Sequence, residues 1–322
     1  MSIESICTLV KTDLDDLQTC IHSNLQSDIP LFETLALHII DAGGKRLRPM
    51  LVFLVAHACG YTGKDHIDLA AMIECFHTAT LLHDDVVDNS DLRRNKPTAH
   101  TVWGNKISII SGDYLLTQAF QFLIKSKHHR VFSLMSETAH KITSGELKQL
   151  SHQQGNFPNL TEYLDIIESK TAILFAASAA IGPIVANAAP ETERALHQYG
   201  LQIGMTFQII DDILDYTSTN DVLGKECGDD LAEGKVTLPL LYALESASPA
   251  ERQFIVDCLK QKDRRALPDI LNILESTNAL NRARHDAEKA YNTAIESLNV
   301  LPPSIYREAL VSLATFALER TY

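Results

Sequence analysis

Turn formers are scarce in this sequence. Gly (14) and Pro (11) are few for a chain of 322 residues, and few turns favour long helices over many short strands. The six cysteines, Cys7, Cys20, Cys59, Cys75, Cys227 and Cys258, form no C-x-x-C pair and follow no regular spacing. That argues against a zinc site or a disulfide framework and for reduced thiols in a cytoplasmic protein. Basic residues are in deficit, 28 Lys and Arg against 41 Asp and Glu, for a formal charge of −13. Domains that hold nucleic acid by neutralising phosphates are usually basic, so that class is set aside. No G-x-G-x-x-G, G-x-S-x-G or H-E-x-x-H occurs, which leaves dinucleotide-dependent redox enzymes, serine hydrolases and zinc proteases without sequence support. Long apolar runs are lacking too. The first 30 residues carry Glu4, Lys11, Asp13, Asp15 and Asp16, so no signal-peptide core is present there. The most apolar stretch, Ala172 to Ala189, is Ala-rich and interrupted by Gly182-Pro183. A span needs about 20 strongly apolar residues, so it reads as a core helix packed through alanines, and no stable membrane insertion is expected.

What is present is a globular composition, 45% apolar and 21% charged, ordered by helical spacing. Between Ile3 and Leu25 the residues Ile6, Leu9, Val10, Leu14, Leu17, Ile21 and Leu25 recur at three-four intervals. Further helices are expected over 31–40, 51–59, 68–88, 107–125, 131–149, 161–181, 190–216, 238–244, 249–260, 279–298 and 303–320. No alternating strand pattern of any length appears. The expectation is one all-α domain over residues 1–322, with polar, charged loops at 89–100 and 217–237.

Each of those loops follows a carboxylate motif. Leu81-Leu82-His83-Asp84-Asp85-Val86-Val87-Asp88 and Ile209-Ile210-Asp211-Asp212-Ile213-Leu214-Asp215 both read apolar-apolar then DDxxD, 127 residues apart. The first and last Asp of each set are i and i+4 and share a helix face, where like charges repel. A helix C-terminus disfavours anions as well. Neither set helps folding, so something cationic must offset them. Hard oxygen ligands at this spacing suit Mg²⁺, which takes one or two carboxylates together with substrate phosphates. The twelve-residue loop of an EF-hand is absent from both.

Cations gather near the same places. Gly43-Gly44-Lys45-Arg46-Leu47-Arg48-Pro49 packs three into a turn, Arg93-Arg94 follow the first motif, and Lys225 and Lys235 follow the second. Lys170-Thr171 lies inside an apolar helix, where a lone Lys is costly unless it meets an anion. One cation taken alone is a solvated surface charge; together they match the binding of two polyanionic groups, one through metal and one directly. The glycine turn is not a P-loop, because Arg46 stands where Ser or Thr is required.

These motifs, in this order, resemble the trans-polyprenyl diphosphate synthase family. The resemblance rests on GGKRLRP (43–49), HTATLLHDDVVD (77–88) with Arg93-Arg94, Lys170-Thr171, FQIIDDILDY (207–216) and GKECGDDLAEGKVTLP (224–239), and the wording is most similar to bacterial octaprenyl diphosphate synthases. It implies an all-α helical bundle around a deep central cavity, acting as a homodimer. It implies that Asp84, Asp85, Asp88, Asp211, Asp212 and Asp215 hold Mg²⁺, about two or three ions per site, bridging an allylic diphosphate. By the same resemblance Arg93, Lys170, Lys225 and Lys235 contact that diphosphate. Lys45, Arg48, His77 and Arg94 bind the diphosphate of isopentenyl diphosphate. Thr171 and Gln208 line the reacting centre.

The chemistry fits these residue types. Ionising an allylic diphosphate develops negative charge on the leaving group, which cations stabilise, and positive charge on carbon, to which neutral oxygen dipoles can turn. A dry cavity is needed, because water would quench the cation. Chain length reads from the helix before Asp84. Ala79 and Thr80 are small where short-chain relatives carry bulky aromatics, so a growing tail can pass toward Phe76 and Met72, roughly 18 Å back along a helix. A C40 product is expected, with a farnesyl or geranylgeranyl synthase as the shorter alternative. Asn95 and Val236 depart from the family's usual Gly and Pro, in loops rather than at metal or phosphate positions. A non-catalytic partner subunit would have lost carboxylates or cations that are all present here. A terpene cyclase would not need Lys45, Arg48 and Arg94.

Overall fold

Helix boundaries follow the apolar spacing closely. The computed structural model describes residues 1–26, 28–40, 44–93, 96–152, 157–217 and 227–320. The helices are α1 (Ile3–Leu9), α2 (Lys11–Leu25), α3 (Pro30–Ile40), α4 (Leu47–Ala58), α5 (Asp65–Val87), α6 (Ala99–Trp103), α7 (Asn105–Ser126), α8 (His129–His152), α9 (Leu160–Ile167), α10 (Ile173–Val185), α11 (Pro190–Thr217), α12 (Asp229–Glu233), α13 (Leu238–Ser246), α14 (Pro249–Gln261), α15 (Leu267–Ser276), α16 (Ala279–Ser297) and α17 (Ile305–Glu319). The chain is therefore all-α as expected, with local departures. The first helix breaks at Val10, whose φ of −111° and ψ of 25° leave the helical region. A two-residue hairpin, β1 (Leu92–Arg93) with β2 (Lys96–Pro97), occupies the first charged loop. Helix α12 lies inside the second. Helix α15, where Leu267, Ile270, Ile273 and Leu274 carry a helical spacing, lies outside the expected helices.

Contacts gather the chain into two units, Met1–Glu137 with Leu174–Gly200 and Ser297–Leu313, and Thr138–Ile173 with Leu201–Glu296 and Ala314–Tyr322. In the first unit α4 is the most enclosed element, with Met50 through Ala56 inaccessible to solvent. Helix α5 packs against α2, α4 and α7. It begins with Asp65 and Asp68 in its first turn, where acids complement the helix dipole, and ends at Asn89, whose φ of 54° takes the left-handed region that Asn tolerates. Helix α7 approaches it closely at Gly112, where an added Cβ would lie 2.4 Å from the His83 ring. The Ala-rich stretch is a core helix: Ala176, Ala177, Ala179 and Ala180 are buried, and a Cβ on Gly182 would lie 2.6 Å from the backbone of Ala56.

By length and composition alone, one helix among the described residues, α7, is long and apolar enough to cross a membrane. The most apolar stretch of the sequence, 172–189, expected as a core helix, lies elsewhere, over α10 and the residues after it. Helix α7 buries one face through Ser108, Leu115, Ala119 and Ser126 and exposes Ile110, Phe120 and Ile124 on the other.

In the second unit one cluster joins Ile209, Ile210, Ile213 and Leu214 of α11 to Tyr163 and Ile167 of α9 and Ala283 and Ala287 of α16. A second joins α13, α14 and α15 through Leu240, Ile255, Leu259, Ile270 and Leu274. Helix α9 starts with a capping box from Asn159 and Glu162, which satisfies two otherwise orphaned groups. It ends in a π-helical turn, Glu168–Ala172. A Cβ on Gly204 of α11 would lie 2.4 Å from Ala172, so glycine lets α11 run against that turn.

Candidate active site

The first carboxylate motif closes α5. Helical geometry puts Asp84 and Asp88 on one face, and both are half-buried; Asp85 turns inward and is 4% exposed. Arg93, delivered by the hairpin, donates to Asp85 through Nε at 2.8 Å and Nη2 at 2.7 Å. One aspartate is thus neutralised by a cation, and two present oxygen donors together.

Residues 46–48, at the start of α4, reach the same helix about two to three turns earlier. Arg46 takes a left-handed conformation (φ 48°) at the start of α4 and donates to Glu74 at 2.7 Å. Arg48 donates to His77 Nε2 at 3.2 Å, which makes that nitrogen the acceptor, and its guanidinium lies 4.2 Å from the centre of the Phe175 ring. Lys45 is half-buried. Glu74, His77, Thr78, Leu81, Asp85, Arg93 and Lys96 line one pocket. Met72, Phe76 and Ala79 are closed into the core and do not line it, while Thr80 donates to the carbonyl of its own helix at His77. Arg94 and Asn95 lie outside the described residues, as does Lys225.

The second motif lies in α11, and its three aspartates face three surroundings. Asp211 is exposed and accepts from Arg320 Nη2 at 2.6 Å; Arg320 also donates to the Phe207 carbonyl at 3.1 Å and stacks 3.7 Å over that ring. Asp212 is 3% exposed. Gln208 Nε2 donates to its Oδ1 at 2.8 Å and the Tyr163 hydroxyl donates to its Oδ2. Burial, with the Asp230 carboxylate next in effect, pushes the Asp212 carboxyl well above the usual carboxylate range. Asp215 accepts from the backbone N–H groups of Asp229 at 3.1 Å and Asp230 at 3.2 Å, and so caps α12.

The π-helical turn sets Lys170 and Thr171. Such a turn adds one residue to a helical repeat and is often found where side chains must be re-aimed. Lys170 pairs with Glu146 of α8 at 2.9 Å, and the Thr171 hydroxyl donates to Gln208 Oε1 at 2.8 Å. Lys235 pairs with Glu233. Lys170, Thr171, Gln208, Asp212 and Lys235 line a cleft together with Phe157, Ile166, Ile167 and Val236. Charged and apolar side chains lining one cleft suit an amphiphile with a charged head and a hydrocarbon tail.

Comparison with known proteins agrees with these motifs. Residues 29–277 match the polyprenyl synthetase family profile. The octaprenyl diphosphate synthase of Escherichia coli (strain K12) is 43% identical over 323 residues, covering 99% of each chain. The chain belongs to the polyprenyl synthetase family. It is an enzyme of the prenyltransferase class, a trans-polyprenyl diphosphate synthase. Among solved structures, a polyprenyl synthase from Caulobacter crescentus CB15 complexed with calcium and isoprenyl diphosphate superposes with a TM-score of 0.95 at 36% identity, covering 100% of this chain and 98% of the other. A decaprenyl diphosphate synthase from Rhodobacter capsulatus gives 0.94 at 36% identity, with both chains fully covered.

Sequence reasoning missed the groups that hold the synthase's motif residues. Glu74, Glu146, Tyr163 and Arg320 stand outside every motif, and no local spacing links them to one. A separate cluster was also missed. Asp13, His57 and His66 place three metal-capable ligand atoms within 4.8 Å of one another. Asp13 accepts from His57 at 2.7 Å and from His66 at 3.0 Å. Along α5, His66 lies roughly 27 Å from Asp84 at the helical rise, so this cluster is separate from the carboxylate motif. The His66 Nδ1 atom is buried without a hydrogen-bond partner among the described residues. A metal-ligating His normally donates its other N–H to a neighbour, so this cluster is better read as a hydrogen-bonded clasp between α2, α4 and α5.

Proposed function

We propose that this synthase adds isopentenyl diphosphate head to tail (1′-4) to an allylic diphosphate such as farnesyl diphosphate. The product is octaprenyl (C40) diphosphate, of the kind used for quinone side chains. Both units serve this one reaction, as a single synthase domain over 1–322. The observation that carries the reading is the cleft that Lys170, Thr171, Gln208 and Lys235 line together with apolar side chains. The name of the 43% identical E. coli relative supports the product length.

The donor set fits Mg²⁺. Asp84 and Asp88 offer hard oxygens from one helix face, and Asp211 offers an exposed carboxylate. Asp84 and Asp88 in the first unit, and Asp211 in the second, would each supply oxygen ligands to Mg²⁺, with Asp85, Asp212 and Asp215 supporting them. When bound, Mg²⁺ offsets the negative charge that grows on the departing diphosphate. Arg93, Lys170, Lys225 and Lys235 bind the allylic diphosphate. In the first unit Asp85 is the present partner of Arg93, and in the second Glu146 and Glu233 are those of Lys170 and Lys235, so each pairing must open when diphosphate arrives. Lys45, Arg48, His77 and Arg94 bind isopentenyl diphosphate. Thr171 and Gln208 turn oxygen dipoles toward the developing cation. The apolar side chains exclude water from it. The proton lost after C–C bond formation passes to the released diphosphate.

We place the enzyme in the cytoplasm as a homodimer. Six free cysteines fit a reducing compartment. Ile110, Phe120 and Ile124 on the exposed face of α7 form an apolar stripe, the kind of surface a second copy covers. The decisive assay uses the purified chain with Mg²⁺, farnesyl diphosphate and isopentenyl diphosphate, followed by product-length analysis. A C40 end product is expected. A C15 or C20 end product overturns the length, and no elongation overturns the catalytic reading.

A further inference from the structure

The geometry points to Tyr163 as a positioning residue that orients Gln208 and Thr171 through Asp212. This rests on the proposed roles of Thr171 and Gln208 at the reacting centre. Four side chains form one directed chain of hydrogen bonds. The Tyr163 hydroxyl donates to Asp212 Oδ2, Gln208 Nε2 donates to Asp212 Oδ1 at 2.8 Å, and Thr171 Oγ1 donates to Gln208 Oε1 at 2.8 Å. Because the Gln208 NH₂ is spent on Asp212 Oδ1, the amide carbonyl turns outward. The outward carbonyl then takes the single proton of the Thr171 hydroxyl. What Thr171 has left for the cleft is lone pairs, the polarity that a developing carbocation needs. A hydroxyl free to rotate could offer its proton instead, which would oppose that charge.

Tyr163 anchors the chain from its far end. It is 3% exposed, sits in the apolar cluster of Ile167, Ile209 and Ile213, and lies on α9, one helix before the π-helical turn that carries Thr171. Its buried hydroxyl donates to Asp212 Oδ2. With both oxygens of Asp212 engaged by Gln208 and Tyr163, this aspartate orients neighbours rather than ligating metal. It differs in that from Asp211, one residue away and exposed.

The test is steady-state elongation by wild type, Tyr163→Phe, Thr171→Val and the double variant, with melting curves for each. Tyr163→Phe is expected to lower kcat about tenfold or more while KM for both diphosphates stays within about threefold. Its effect should nearly vanish in the Thr171→Val background, because residues acting as a unit are not additive. Multiplying effects overturn the proposal, since they mean Tyr163 acts independently of Thr171. Asp212→Asn and Asp212→Leu carry the same question should Tyr163→Phe fail to fold. Asn can keep both bonds, accepting from Gln208 and donating to the tyrosine oxygen, so it should retain at least about tenfold more kcat than Leu. The Mg²⁺ midpoint of Asp212→Asn should stay within about twofold of wild type; a rise above about tenfold makes Asp212 a ligand and overturns the proposal. Wild type that fails to elongate overturns the functional reading itself, whatever the variants do.

Discussion

The two DDxxD motifs share a spelling and a place near the end of a long helix, yet their carboxylates are held differently. In the first, a cation holds the inward Asp85, and Asp84 and Asp88 share a common helix face. In the second, Asp211 meets Arg320, Asp212 meets Gln208 and Tyr163, and Asp215 caps a five-residue helix. The spacing fixes which residues share a helix face; the surrounding elements decide what each oxygen does. The residues ahead of the motifs differ as well. Five and four positions before the first Asp stand Ala79-Thr80 in one case and Thr206-Phe207 in the other, and the Phe207 ring is stacked under Arg320.

The largest test of that contrast removes a charge from the outward position of each motif. Asp84→Asn and Asp211→Asn should each lower kcat/KM for elongation by about 10² to 10³-fold, the worth of one electrostatic stabiliser of a developing anion. Both should raise the Mg²⁺ concentration needed for half-maximal rate. Asp215→Asn should cost less rate and more stability, about 1 kcal/mol, because its carboxylate caps α12. Steady-state kinetics against Mg²⁺, with melting curves, separates the two patterns. Equal losses of rate at Asp211 and Asp215 would erase the difference between capping and outward positions.

A smaller effect on rate, but a visible one on product, is expected from giving the first motif the bulk found ahead of the second. Ala79→Tyr should shorten the product below C40, read by chromatography after incubation with farnesyl and isopentenyl diphosphates. Ala79 is fully buried, and overpacking a core costs about 1–3 kcal/mol, so melting must accompany the product analysis. An unchanged chain length in a folded variant refutes the ruler role of this position.

The fold was legible because its helices are long and amphipathic, and because the Ala-rich stretch 172–189 marks a closely packed core helix. The motif residues were legible because their spacing is local: Asp84 with Asp88, or Arg48 near Pro49. What escaped was whatever depends on contacts distant in sequence. Arg320 reaches Asp211 from 109 residues away and Tyr163 reaches Asp212 from 49, and nothing in either segment announces the partner. The π-helical turn was equally invisible, since Glu168–Ala172 continues a helical pattern in the sequence and departs from it only in hydrogen bonding.

The smallest effect separates the two ends of α5, the carboxylate motif at one and the Asp13–His57–His66 clasp at the other. Burial alone would raise the Asp13 carboxyl, but hydrogen bonds and charge from His57 and His66 outweigh it and hold the group well below the usual carboxylate range. A folded-state value below the unfolded one means the clasp contributes stability above a pH of about 4 and loses it as pH falls further. Asp13→Asn should therefore cost about 1.5–3 kcal/mol near neutrality, the worth of hydrogen bonds to a charged group. The difference from wild type should shrink in acid. Because the clasp stands roughly 27 Å along the helix from Asp84, the Mg²⁺ midpoint for elongation should not move. Denaturant melts of wild type and variant between neutral and acid pH, paired with Mg²⁺ titrations of activity, measure both. A shifted midpoint with unchanged stability would make the clasp part of the metal chemistry rather than of the fold.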